Sequence, residues 1–364
     1  MPHLRREIVT TSDRLHALRP SWSELWERCP DATPFQSPEW LLPWWEHLGR
    51  GSLCTLALWD DDRLLGLAPL FTERYFGLPL RRLALIGTGN TDYLDVLLDP
   101  QARPTTASEF VSELPGLTWD WDFCDFQQLR ANSPLLEAPP SPVRDLVLEQ
   151  EVCPILRLRG GDSGETLPSR LRKNLRYYER RLEREGGILG LAPREAVTET
   201  LNAMFNLHGA RWRERKLPGV FTSARVRRFH QEAARGFAAR GWLRLHTLTF
   251  AAEVRAALYC FTCRGRGYYY AGGFDPTLAR LSPGTVLTGR AIQSAVGEGA
   301  GEFDFLRGDE PYKYSWGAAN RINYRQLLWR AGSRGAAAPR LVRLERQIEH
   351  RAKQFARRLQ GPRG

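Results

Sequence analysis

The sequence lacks a long apolar run. None of its segments approaches the ~20 residues that a membrane-spanning helix requires, and the start, Met1-Pro2-His3-Leu4-Arg5-Arg6, leads into mixed polar sequence without an apolar signal-peptide core. The expected location is therefore cytoplasmic. Cysteine is sparse: 6 residues, scattered along the chain, which argues against a disulfide framework. Cys260-Phe-Thr-Cys263 has C-x-x-C spacing, but it lies in an apolar, strand-like run with no second pair and no His at ligand spacing, so it reads as buried strand cysteines. No metal is expected. Also missing are a Walker lysine, a full G-x-G-x-x-G, a G-x-S-x-G and an H-E-x-x-H. Their absence disfavours P-loop nucleotidases, Rossmann dinucleotide enzymes, serine hydrolases of the elbow type and zinc proteases.

What is present is aromatic and basic. The 364 residues include 12 Trp, 11 Tyr and 16 Phe, ample material for a core, and their length suggests two domains. The 52 Lys+Arg against 41 Asp+Glu give a formal charge of +11. The excess is almost entirely Arg, which suits bidentate contact with phosphates and carboxylates. Such a balance admits a phosphorylated cofactor, nucleic acid, an acidic polymer or an anionic membrane surface, and does not choose among them.

Periodicity organises the chain into an N-terminal half (1–145), a C-terminal half (146–332) and a basic amphipathic helix within 333–364. In the first half, helices are expected at Ser21–Cys29 and Glu39–Leu48, the second entered through Pro38. A hairpin follows, 53–59 and 64–71 around Asp60-Asp61-Asp62, with further strands at 82–86 and 95–98. Residues 131–143 carry the clearest linker signal, Asn-Ser-Pro and Pro-Pro-Ser-Pro. A strand at 153–158 and a loop at 160–164 precede a strong basic helix, 168–185, in which Leu171, Leu175, Tyr178 and Leu182 form the apolar stripe. Helices at 196–214 and 223–240 lead to strands at 243–250, 256–261 and 267–271, a helix at 284–297 and a strand at 302–306. The strand–acidic turn–strand of the first half is echoed weakly in the second. A final helix, 339–359, places Leu341, Leu344, Ile348, Ala352, Phe355 and Leu359 on one face.

Four places invite chemistry. After the strand ending at Tyr270-Ala271, the segment Ser282-Pro283-Gly284-Thr285 opens a helix, whose N-terminal N–H groups and dipole make a natural seat for a pyrophosphate; simple capping by Ser282 explains the same residues. The run Asp304-Phe-Leu-Arg-Gly-Asp309-Glu310-Pro-Tyr-Lys313 offers carboxylates that serve either as a proton acceptor for an incoming amine or as members of an ion-paired loop. His208, Arg211 and Trp212 share a helix, facing a ligand or packing in the core. The basic helix 168–185 either holds phosphates or is simply solvated.

Taken in order, Thr33-Pro-Phe-Gln-Ser-Pro-Glu-Trp40, Leu65-Gly-Leu-Ala-Pro-Leu-Phe71, Ser169-Arg-Leu-Arg-Lys-Asn-Leu-Arg176, Leu207-His-Gly-Ala-Arg-Trp212, Gly272-Gly-Phe-Asp275, Ser282-Pro-Gly284, Phe303-Asp-Phe-Leu-Arg-Gly-Asp-Glu310 and Tyr312-Lys313 resemble the CelD/BcsL-type, FemAB-related branch of the GNAT acyltransferases, over about residues 20 to 330. The resemblance implies a mixed α/β chain of two tandem GNAT-like folds, the second carrying the better-formed site. It implies transfer of an acyl group from acyl-CoA, acetyl-CoA included, to an amine or hydroxyl of a sugar, amino-sugar or exopolysaccharide-related acceptor by direct attack on the thioester. On this sequence it implies donor binding by Tyr270, Ser282, Gly284 and Thr285, a base among Asp304, Asp309 and Glu310, and an acceptor side lined by His208, Arg211, Trp212 and Lys313. FemAB relatives use aminoacyl-tRNA instead, and helix 168–185 would serve a tRNA equally. A non-catalytic subunit of an exopolysaccharide system, with the last helix docking on a protein or the inner face of the membrane, is the third reading. DNA is not an expected partner.

Overall fold

The computed structural model describes residues 4–102, 121–136, 143–158, 167–214 and 219–359. The expected loop at 160–164 and part of the linker at 131–143 lie outside the described residues. Two compact units emerge: Met1–Glu151 together with Ile322–Gly364, and Val152–Arg321. No helix among the described residues is long and apolar enough to cross a membrane.

The first unit opens with strand β1 (Leu4–Val9) and helices α1 (Ser12–Ala17), α2 (Arg19–Arg28) and α3 (Pro38–Leu48). The Thr11 hydroxyl accepts the Arg14 N–H to cap α1, and Pro38 occupies the first position of α3, where its missing N–H is harmless. Trp22, Leu25 and Trp26 of α2 are buried, and the indole N–H of Trp26 donates to the Thr33 carbonyl. Strands β2 (Ser52–Leu53), β3 (Thr55–Asp60), β4 (Arg63–Ala68), β5 (Leu70–Arg74), β6 (Arg81–Leu85), β7 (Leu97–Leu98) and β8 (Phe123–Arg130) follow, and β9 (Val143–Arg157) carries the chain into the second unit. β1, β3, β4 and β7 make an antiparallel sheet in that order.

The second unit has helix α4 (Ser169–Arg184), strand β10 (Ile188–Leu191), helices α5 (Val197–Glu214) and α6 (Ala224–Ala239), strands β11 (Leu243–Phe250), β12 (Glu253–Cys263) and β13 (Arg266–Phe274), helix α7 (Pro283–Gly297), strand β14 (Glu302–Asp304) and the short helix α8 (Pro311–Tyr314). β10 to β13 are antiparallel neighbours; β14 then pairs with β13 in parallel and with the end of β9 antiparallel. One face of this sheet is covered by α4 and α7, through a core that includes Leu175, Leu182, Leu258, Cys260, Val286 and Ile292. α5 and α6 cover the other, where Phe237 meets Phe261 at 4.8 Å between ring centroids. α5 approaches the sheet so closely that a side chain at Gly273 would lie 2.6 Å from the His208 backbone nitrogen and 2.7 Å from the Met204 carbonyl oxygen. The hairpins β3–β4 and β11–β12 each carry a register shift just before the turn, between Leu58 and Trp59 and between Leu248 and Thr249. The echo read in the sequence is therefore matched by geometry.

The chain returns to the first unit along β15 (Ala319–Arg330) and ends in α9 (Ala338–Leu359). From Asn323 onward β15 pairs antiparallel with β8, which lies parallel to β6. This strand is buried yet polar. The Asp125 carboxylate on β8 accepts from Arg325 Nε at 2.7 Å and Nη2 at 2.9 Å, and from Arg82 at 3.0 Å. Arg325 also meets Glu345 of α9 at 2.9 Å, and the Tyr75 hydroxyl donates to the same carboxylate at 2.7 Å. Burial alone would raise the pKa of Asp125; Arg325 and Arg82 outweigh it and hold the carboxyl below its usual range.

Removing one partner of a buried pair strands the other. Arg325→Met should destabilise the chain by about 3–5 kcal/mol at neutral pH in urea unfolding. Because the folded pKa of Asp125 is depressed, its contribution is present above the unfolded value of about 3.9 and fades as pH falls below it; the deficit of the variant should shrink over the same range. Gly273→Ala forces backbone apart from backbone and should cost about 1–3 kcal/mol, read as a lower unfolding midpoint.

Candidate active site

The candidate site is built around β13. Opposite Tyr259 and Cys260 of β12 stand Ala271 and Tyr269, so Tyr270 is an extra residue, a β-bulge. The bulge resets the alternation of side chains: Tyr269 and Phe274, five positions apart, both pack toward the α4–α7 core, which an unbroken strand does not allow. The Tyr270 ring turns to the opposite face. There it stands 5.1 Å from His230 and 5.5 Å from Tyr259, centroid to centroid. Phe221 bridges His208, at 5.0 Å, and His230, at 5.2 Å. Burial drives the His230 pKa down to about 3, so this imidazole is neutral and weakly basic at physiological pH. Tyr270 and His208 thus share one aromatic wall under α5 and α6. The side chains of Arg211 and Trp212, on the last turns of α5, lie outside the described residues.

On the α7 side, β13 is joined to β14 over three residue pairs only, from Arg266–Glu302 to Tyr268–Asp304. Beyond Tyr268 the strands part, and β13 runs on to Phe274. Asp275 then redirects the chain: its carboxylate is paired with Arg255 and accepts the Thr277 N–H at 2.8 Å. A 3-10 turn, Pro276–Leu281, delivers Ser282 in a left-handed conformation (φ 50°), and α7 begins at Pro283. The Ser282 side chain makes no capping hydrogen bond. The simple capping explanation therefore fails at this helix start, and the first-turn N–H groups lack intrahelical acceptors by construction. An added side chain at Gly284 would touch only Phe274 ring carbons, at 3.6 Å. Gly284 and Thr285 are half-buried, with the backbone approachable.

The carboxylates at the end of β14 have different surroundings. Asp304 is fully buried, accepts the Leu306 N–H at 2.7 Å and lies 3.5 Å from Arg321, which also pairs with Glu302. Its oxygens help hold Leu306 in a left-handed turn (φ 55°). Asp309 and Glu310 are exposed. Lys313 is buried, and its ammonium donates to the carbonyls of Leu306 (3.2 Å), Arg307 (2.8 Å) and Gly308 (3.1 Å) while pairing with Glu310 at 2.9 Å. Three N–H donors facing four oxygens of its own loop make Lys313 the clamp of that loop. Tyr312 stands 6.5 Å from Tyr269, which links the loop to the parting of β13 and β14.

Sequence reasoning missed Phe221 and His230, whose letters look like ordinary helix and loop residues, and the Arg255–Asp275 pair, whose members meet only through strand register. Cys260 and Cys263 are buried thiols on β12 that form no disulfide. A cavity of about 370 Å³ lies elsewhere in this unit, lined by Leu189, Leu191, His246, Leu287, Arg290 and Gln293 among others, and includes none of the residues singled out from the sequence.

Residues 169–314 match the family model described as an acetyltransferase (GNAT) domain. No curated protein matches the chain in sequence. Among solved structures, FemX superposes with a TM-score of 0.61 at 11% identity, covering 88% of this chain and 96% of FemX. The C-terminal domain of a putative lysylphosphatidylglycerol synthetase from Agrobacterium fabrum gives 0.57 at 12% identity, covering 90% and 95%. L-PGS from Bacillus licheniformis gives 0.51 at 14%, covering 86% and 97%. At these identities the likeness is one of fold. The chain has a mixed α/β fold like that of FemX, and residues 169–314 match the acetyltransferase (GNAT) domain family.

Proposed function

We propose that the protein is an acyl-CoA-dependent N- or O-acyltransferase of the CelD/BcsL-like kind, acting on a sugar, amino-sugar or exopolysaccharide-related acceptor. The observation that carries this reading is the start of α7, without a side-chain cap and approachable at Gly284, against Phe274 at the end of β13. The Gly284 and Thr285 N–H groups would hold the donor's pyrophosphate. The thioester would lie along β13 past Tyr268, with bulge backbone at Tyr270 polarising its carbonyl. The acceptor would enter from the wall of Tyr270, His208 and Phe221 and attack the carbonyl carbon. A base among Asp304, Asp309 and Glu310 takes the acceptor's proton, and CoA leaves as the thiol. Exposure favours Asp309 and Glu310 for this role over the fully buried Asp304.

A second reading, an aminoacyl-tRNA donor, is favoured by the outward face of α4, where Arg170, Lys173, Arg176, Arg180 and Arg184 are exposed. Steeply salt-dependent tRNA binding, lost when Lys173, Arg176 and Arg180 become Gln, would select it.

Gly284→Asp separates fold from function: a carboxylate at a helix start is favourable to the helix, yet repels a pyrophosphate. Isothermal titration should show acyl-CoA binding in about the micromolar-to-millimolar range typical of enzymes, weakened at least ~10-fold by a misplaced charge in Gly284→Asp, with the melting temperature unchanged. No binding to acetyl-CoA or any longer acyl-CoA refutes the donor assignment. Of Asp304→Asn, Asp309→Asn and Glu310→Gln, the one that removes the base should lower kcat by about 10²–10⁴-fold at unchanged donor affinity; three unaffected rates place the base elsewhere.

A further inference from the structure

The tip between β5 and β6 carries an anomaly. Phe76 is 72% exposed and sits in a left-handed conformation (φ 48°), followed by Gly77 (φ 73°). Folding ordinarily hides a phenylalanine, and this backbone region disfavours any residue but glycine. The tip is firmly seated nonetheless. The Tyr75 hydroxyl donates to Glu345 of α9, Arg334 donates to the Pro79 carbonyl, and Tyr75 and Leu80 share a core cluster with Ala338 and Val342. The two elements joined in this way expose Phe76, Leu78, Leu344 (53%) and Ile348 (60%).

Positive charge surrounds these side chains. Arg74 and Arg81, at the base of the tip, stand directly opposite each other across β5 and β6, and both are exposed. Like charges in that position repel; the acidic group beside them is Asp122, whose carboxylate accepts the Arg81 backbone N–H at 2.8 Å. Arg334, Arg340, Arg343 and Arg351 are exposed along the entry and length of α9, against the exposed Glu349 and the half-buried Asp122.

We propose that this face of the first unit docks on a bilayer of anionic phospholipid, with Phe76, Leu78, Leu344 and Ile348 entering the boundary between headgroups and acyl chains and the arginines resting on lipid phosphates. The chemistry favours lipid over nucleic acid. Three of the four apolar groups are aliphatic and gain nothing by stacking on bases, while hydrocarbon rimmed by arginine is what an interfacial helix presents. The surface is independent of the donor and acceptor assigned above, so its failure leaves those untouched.

The test is co-sedimentation of the full chain with phosphatidylglycerol-containing vesicles and with pure phosphatidylcholine vesicles. Binding should be confined to the anionic vesicles and should weaken with salt. Replacing both Arg74 and Arg81 with Gln should lower it about fivefold per arginine, and Phe76→Ser with Ile348→Ser should lower it at least ~10-fold through lost apolar insertion. No association with anionic vesicles, or equal association of the Ser variant, overturns the proposal. Phe76→Trp supplies a readout without loss of apolar surface: its fluorescence should shift to the blue on adding anionic vesicles, and an unmoved spectrum counts against insertion.

Discussion

Everything in the second unit depends on how much β13 is asked to accommodate. Its backbone lies against α5 at Gly273, closely enough that no side chain fits, and it hands the chain to α7 through Asp275. It also loses β14 after three residue pairs. A regular strand serves two faces by strict alternation. The bulge at Tyr270 breaks that alternation once, so that Tyr270 meets His230 on one side while Tyr269 and Phe274 serve the core on the other. The strand that parts from β14 after Tyr268 is thus the same one that carries the bulge and leads, through Asp275, to the helix start at Gly284.

The first unit is held by a different device. Asp125, Arg82, Arg325, Glu345 and Tyr75 form a chain of buried and half-buried polar contacts that runs from β6 and β8 through β15 to α9. Such networks add little net stability over apolar packing, but a mispaired register leaves a charge buried without its partner. The network thereby penalises any other seating of the returning strand, and it fixes where the C-terminal helix lies on this unit. The exposed Phe76 tip inherits its position from the same contacts.

These two devices also explain what the sequence shows and hides. The helices were legible from apolar stripes, and the β3–β4 and β11–β12 hairpins from alternation and acidic turns. β15 was not. Asn323, Arg325 and Gln326 are buried, so Ile-Asn-Tyr-Arg-Gln-Leu-Leu-Trp reads as a broken apolar pattern, and it takes Asp125, 200 positions away, together with Glu345 to make an arginine acceptable there. β8 is obscured likewise by Asp125, Gln127 and Gln128. In the site, Ser282-Pro-Gly-Thr was visible as a helix start. The left-handed turn that denies Ser282 its capping role was not, because Ser282 also closes the 3-10 turn Pro276–Leu281, which its letter does not reveal. Lys313 looked like a ligand group because its letter reveals charge and conceals burial.

The same distinction governs what the charge of +11 means. Many arginines are committed to structural pairs: Arg82 and Arg325 to Asp125, Arg244 to Glu298, Arg255 to Asp275, Arg290 to Glu179. Their charge is already matched by a carboxylate within the fold. The seat proposed for the pyrophosphate is made of backbone N–H groups and owes little to net charge, so its affinity should be nearly indifferent to the arginines of α4. A polyanion on α4 would instead be held by mobile side chains through counterion release, and its affinity would track salt steeply. Whether the donor is a coenzyme or a tRNA is thus a question of backbone dipoles at the start of α7 against side-chain charge on α4, and the composition of the chain does not answer it.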